Sequence, residues 1–138
     1  MVDQRFSVSI HIMTVLAYHH DELLTSEQLA TSIRTNAVVV RRLIAKLVEA
    51  GLVKSFKGKS GGVSLAKPAQ QITLEDIYAA VFSDKALIAN PPREPHKACA
   101  VSCSMGKVLE GVIDGLQAQT VKYMSGIKLS DLTSQITK

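Results

Sequence analysis

The sequence predicts a mainly α-helical fold that carries one small β-hairpin and a long, apolar-striped helix near its C-terminal end. Three observations predict it. Apolar residues recur at helical spacing along most of the chain, in a background rich in Ala, Leu, Lys, Gln and Glu. Strand-like runs flank a single glycine-rich tip, Lys57-Gly58-Lys59-Ser60-Gly61-Gly62. Hydrophobic residues make up 46% of the 138 while aromatics are 4% and Trp is missing, so the core must be aliphatic. A charged fraction of 20% excludes a disordered chain, and the length suits one domain, or one domain with an oligomerisation element.

The elements follow in order. Phe6, Ile10, Met13 and Ala17 recur at helical spacing, although Val8, Ile10 and Ile12 also alternate as a strand would; the run exceeds strand length and is read as a helix over 5–19. Thr25-Ser26-Glu27-Gln28 forms a capping box that starts a short helix ending near Ile33. Asn36 is a good N-cap for the next helix, 37–50, whose stripe is Val40, Leu43, Ile44 and Leu47 and whose stop is Gly51. Val38-Val39-Val40 disfavours a helix locally, but stripe and caps agree against it. Leu52–Phe56 and Val63–Ala66 are the strands, and Pro68 ends the hairpin. Thr73, with Asp76 at N3 and an Ile72/Ile77 staple, starts a helix to about Phe82. Residues 83–103 hold Pro91-Pro92, Pro95 and both cysteines and are read as an irregular loop. A long helix is expected over 104–124, striped by Met105, Leu109, Val112, Leu116, Tyr123 and Ile127, with Val108 and Ile113 beside them; it needs a partner for that face. A last short helix is expected over 130–136.

Charge is distributed unevenly. The chain carries a net +4, but the stretch from Arg34 to Lys67 holds eight basic residues and one acid, Glu49, a net +7 that leaves the remainder at −3. Such a segment calls for a polyanion. The order helix, short helix, turn, capped basic helix and glycine-tipped hairpin is that of a winged helix-turn-helix, in which the second helix of the turn enters the major groove of double-stranded DNA. On the outer side of that helix stand Thr35, Asn36, Val38, Arg41, Arg42 and Ala45. Arg reads guanine in bidentate fashion, Asn can read adenine, and Val38 or Ala45 can meet a thymine methyl. Lys46, Lys54 and Lys67 are candidates for phosphates, and Lys57 and Lys59 on the wing for a minor groove. The division that results is 1–82 for DNA binding, 83–103 as a sensor or linker loop, and 104–138 as a dimerisation helix with a C-terminal helix.

These same residues carry a resemblance. The helix and its exit, Asn36-Ala-Val-Val-Val-Arg-Arg-Leu-Ile-Ala-Lys-Leu-Val-Glu-Ala-Gly-Leu-Val53, the wing, Lys57-Gly-Lys-Ser-Gly-Gly-Val-Ser-Leu-Ala-Lys67, and the helix Ile72-Thr-Leu-Glu-Asp-Ile-Tyr-Ala-Ala-Val81 resemble the Rrf2 family of bacterial regulators. The resemblance runs over nearly the whole chain. It implies a DNA-binding homodimer joined by a long helix, most often a repressor, with Lys57 in the place of the basic wing residue sent into the minor groove and Arg41 and Arg42 among the base-reading positions. Cluster-binding relatives carry three cysteines before the long helix as iron–sulfur ligands; this chain has Cys99 and Cys103 alone.

Those two cysteines therefore have several readings. Spaced four apart in a loop, they can approach within the ~4.4–6.8 Å between Cα atoms that a disulfide requires, and near a helix N-terminus, beside His96 and Lys97, a thiolate is favoured: a thiol switch that sets DNA affinity. His96-x-x-Cys99-x-x-x-Cys103 is an incomplete metal set, and an iron–sulfur cluster would need ligands from elsewhere. Buried bystander thiols are the plain alternative. No cofactor is required by the sequence. His11, His19 and His20 are read as packing or surface residues.

Other classes are excluded or disfavoured. There is no P-loop, dinucleotide-binding glycine pattern, helical His pair, nucleophile elbow or C-x-x-C, so no enzyme is expected. A winged helix acting as a protein-docking module fits the concentrated charge poorly. No leader peptide is evident, and the apolar run Val8–Ala17 is too short to span a bilayer, so a cytoplasmic protein without a membrane partner is expected.

Overall fold

The computed structural model describes residues 3–82 and 96–136. Within them, 3–82 and 124–136 form one compact unit and 96–123 another. The first unit opens with α1 (Arg5–Tyr18), α2 (Ser26–Ile33) and α3 (Ala37–Glu49), continues through β1 (Val53–Phe56) and β2 (Gly62–Leu65) and a single 3₁₀ turn at Ala69–Gln71, and reaches α4 (Leu74–Val81). The second is most of α5 (Ala100–Ser125); the chain then returns to the first unit in α6 (Leu129–Thr133).

The helical reading of the first segment holds because Ile12, Met13 and Leu16 point into the core at helical spacing, all with at most 1% exposure. In α2 the capping box forms as expected: Gln28 N–H donates to Thr25 Oγ1 at 3.1 Å and Thr25 N–H to Gln28 Oε1 at 2.8 Å. The helix ends on Arg34 in a left-handed conformation, φ 65°, and the N–H groups of Arg34 and Thr35 both donate to the Ala30 carbonyl. This makes the tight turn between α2 and α3. Asn36 Oδ1 accepts the Val38 N–H at 2.7 Å and starts α3, whose inner face is Val40, Leu43, Ile44 and Leu47. Gly51, at φ 80°, lets the chain leave α3 without Cβ strain.

The hairpin is antiparallel with Val53 opposite Leu65 and Phe56 opposite Gly62. It is tied back to the helices: Leu24 and Val63 exchange backbone hydrogen bonds of 3.1 and 2.8 Å, just before α2 begins. That contact requires glycine at 62, where a Cβ would lie 2.8 Å from the Leu24 carbonyl oxygen. Thr73 and Asp76 form the capping box of α4, with Ile72 and Ile77 fully buried beside it. Phe6 packs edge-on against Tyr78 and Phe82, and the Arg5 guanidinium lies 4.9 Å over the Phe82 ring.

The main differences from expectation lie in the second half of the chain, where the last helix spans 129–133 in place of 130–136. The long helix begins at Ala100 rather than Ser104, so Cys103 is helical and the expected loop 83–103 is shortened at its end; Pro91-Pro92 and Pro95 lie outside the described residues. The C-terminal helix does not group with the long one. It packs on α1 and the 3₁₀ turn, Leu129 is fully buried, and two backbone bonds fasten it: Leu74 N–H to Ile127 O at 3.0 Å and Leu129 N–H to Ile72 O at 2.7 Å. The expected unit 104–138 is thus divided near Met124, because the aliphatic core of the first unit takes Leu129 and Met124 as members.

Candidate nucleic-acid interface

Two caps and a left-handed turn fix α3 relative to α2, and the buried stripe of α3 leaves its opposite side outward. Asn36, Val38, Arg41, Arg42 and Ala45 are exposed there, while Thr35 and Lys46 are half-buried. Val38 is 43% exposed and offers an apolar contact surface there. Lys54 lies on β1 and Lys57 and Lys59 on the tip, all exposed. Among the described residues, Arg41 alone of the eight basic side chains between Arg34 and Lys67 has an acidic partner: its Nη1 donates to Glu27 Oε1 at 3.4 Å. The other seven cations have no ion pair among those residues, a state suited to phosphates.

The structure qualifies one assignment and adds one residue. Asn36 spends its Oδ1 on capping α3, so bidentate reading of adenine would cost the cap. Glu27 was not anticipated. It stands 14 positions before Arg41 on a different helix, and only the geometry of the turn brings the two together.

Residues 2–135 match the Rrf2 family, described as iron-dependent transcriptional regulators. The chain belongs to the Rrf2 family. An HTH-type transcriptional regulator of Bacillus subtilis, YwnA, is 31% identical over 136 residues, covering 99% of both chains. A solved DNA-binding protein is 30% identical with a TM-score of 0.74, covering 93% of this chain and 97% of its own. The oxidized form of Staphylococcus aureus CymR superposes with a TM-score of 0.72 at 16% identity, covering 100% of this chain and 99% of its own, a likeness of fold. This Rrf2 protein is accordingly a DNA-binding transcriptional regulator with a winged-helix fold, and not an enzyme. Among the described residues no helix is long and apolar enough to cross a membrane.

The second unit holds the cysteines at the start of α5. Cys99 precedes the first turn and its Sγ accepts the Ser102 N–H at 3.4 Å, the geometry of an N-cap. Ser102 Oγ in turn accepts the His96 N–H at 2.7 Å, which folds 96–99 over the helix start. Cys103 lies one turn on, its N–H donating to the Cys99 carbonyl at 3.0 Å and its thiol to the carbonyls of Lys97 and His96 at 3.5 and 3.6 Å. Both thiols are free; Cys103 is exposed and Cys99 half-buried.

An iron centre, as in the Rrf2 description, would have to draw on this donor set. Among the described residues no three His, Cys, Asp or Glu side chains are arranged to hold a metal ion, and the two sulfurs are half the thiolates a four-cysteine cluster uses. Those residues do not fit an iron centre.

Beyond the cysteines, α5 buries only Met124 among its 26 residues. Val101, Val108, Val112 and Leu116 stand exposed along it at helical spacing.

Proposed function

We propose that this regulator is a cytoplasmic homodimeric repressor that grips operator DNA with α3 and the wing and releases or engages it according to the oxidation state of Cys99 and Cys103. The observation that carries the DNA reading is the set of exposed cations on α3 and the hairpin that lack acidic partners among the described residues. Arg41 and Arg42 read bases, with Thr35, Asn36 and Val38 at the helix start; Lys46 and Lys54 contact phosphates; Lys57 and Lys59 reach a minor groove. The uncovered stripe of α5 supports a second copy as its partner, because a 26-residue helix with one buried side chain does not hold itself in isolation on packing.

The thiol reading rests on two sulfurs one helical turn apart in opposite roles. Cys99, as thiolate, attacks a hydroperoxide; the O–O bond breaks, the sulfur becomes a sulfenic acid and the alcohol or water fragment leaves. Cys103 then attacks that sulfur, water leaves, and a disulfide has formed at the expense of the peroxide. A disulfide between residues four apart does not suit a regular turn, so the first turn of α5 opens. That CymR, a protein of the same fold, has an oxidized form supports a redox reading.

The test is duplex binding, using sequences selected by the reduced protein from a random pool. Peroxide should change affinity at least about tenfold, reversibly by dithiol, and Cys99→Ser should abolish the response. A Cys99→Ser protein that still responds, or a wild type that does not, overturns the thiol switch without touching the DNA reading.

A further inference from the structure

Glu27 is an acid on a surface otherwise built for a polyanion, and the geometry points to a purpose: we infer that Glu27 is a specificity-determining positioning residue that holds Arg41 for base reading. The inference rests on the assignment of α3 as the helix that enters the groove. Three local devices fix the two backbones. The Thr25–Gln28 box sets the start of α2 and with it the place of Glu27, the left-handed Arg34 sets the turn, and the Asn36 cap sets the start of α3. From those fixed positions Arg41 Nη1 reaches Glu27 Oε1 at 3.4 Å.

The fold has little need of this pair. Both side chains are more than half exposed, at 52% and 72%, and exposed ion pairs add little to stability. On the DNA side its consequences are larger. A guanidinium without a partner closes on whichever phosphate is nearest, which adds affinity for every sequence alike. Held by a carboxylate through one N–H, it retains its other donors for the O6 and N7 of guanine and is kept from the backbone. The carboxylate also repels phosphates, so non-specific binding is weakened while a correctly placed base edge compensates for the approach. Both effects raise the ratio of specific to non-specific affinity, the quantity that matters for a regulator.

The experiment uses the 138-residue protein and three duplexes: the preferred sequence selected from a random pool by wild type, that sequence with the Arg41-dependent base pair replaced, and a scrambled one. The base pair is located first as the position at which R41A loses preference. E27Q should lower preference at that pair about fivefold or more and raise affinity for the scrambled duplex about two- to threefold, with unchanged thermal stability. At base pairs where R41A leaves preference intact, E27Q should leave it intact too, since it acts through Arg41. The proposal is overturned if E27Q keeps wild-type preference at that pair, or if it lowers preference equally at pairs that R41A leaves unchanged. If R41A itself loses preference nowhere, the base-reading assignment of Arg41 fails first and Glu27 with it.

Discussion

Ser9 is fully buried in α1 with an Oγ that, among the described residues, has no hydrogen-bond partner. A hydroxyl in that position carries a desolvation cost that nothing offsets. Ser9→Ala should raise unfolding stability by about 1 kcal/mol in urea melts at fixed protomer concentration; a loss would mean the hydroxyl bonds in solution. Gly62 acts in the opposite sense. A methyl there meets the Leu24 carbonyl, so Gly62→Ala should cost about 1–3 kcal/mol in the same melts and weaken DNA binding by displacing the wing. Residues whose roles are local were legible beforehand. Thr25, Gln28, Asn36, Thr73 and Asp76 announce caps because a cap needs only the next three residues. Glu27 was not legible, since its partner lies on another helix and nothing in the sequence fixes the angle of the turn.

At the level of elements, α5 is the least self-sufficient. Val112→Glu with Leu116→Glu places two charges in the uncovered stripe. Sedimentation should then show a monomer, and affinity for a two-half-site duplex should fall by about 100-fold or more as bivalent binding is lost. A double variant that remains dimeric would move the interface elsewhere. The helix itself was readable from its stripe, but not its first residue. Cap signals are learned from Ser, Thr, Asp and Asn, and here a cysteine sulfur and a serine two residues into the helix do that work. The same displacement changes the thiol chemistry. With Cys103 inside the helix, a disulfide has to disrupt a turn, where a loop would have accommodated it.

For the whole molecule, charge sets the main observable. Duplex affinity should fall linearly with salt on logarithmic axes, and Lys46→Ala and Lys54→Ala should each reduce the slope by about 1 while leaving base preference in place. A docking module would show no such dependence. The charge asymmetry was legible because it is a sum over residues and independent of fold. The grouping of α6 was not, because a five-residue helix carries too short a pattern to say which core it joins. Its destination matters for how the protein is made. The DNA-binding unit is closed by Leu129 and by the bonds that Ile72 and Leu74 make to residues 127–129. During synthesis those residues emerge after all of α5. A nascent chain therefore carries the helix with the uncovered stripe before the core of its winged helix is complete.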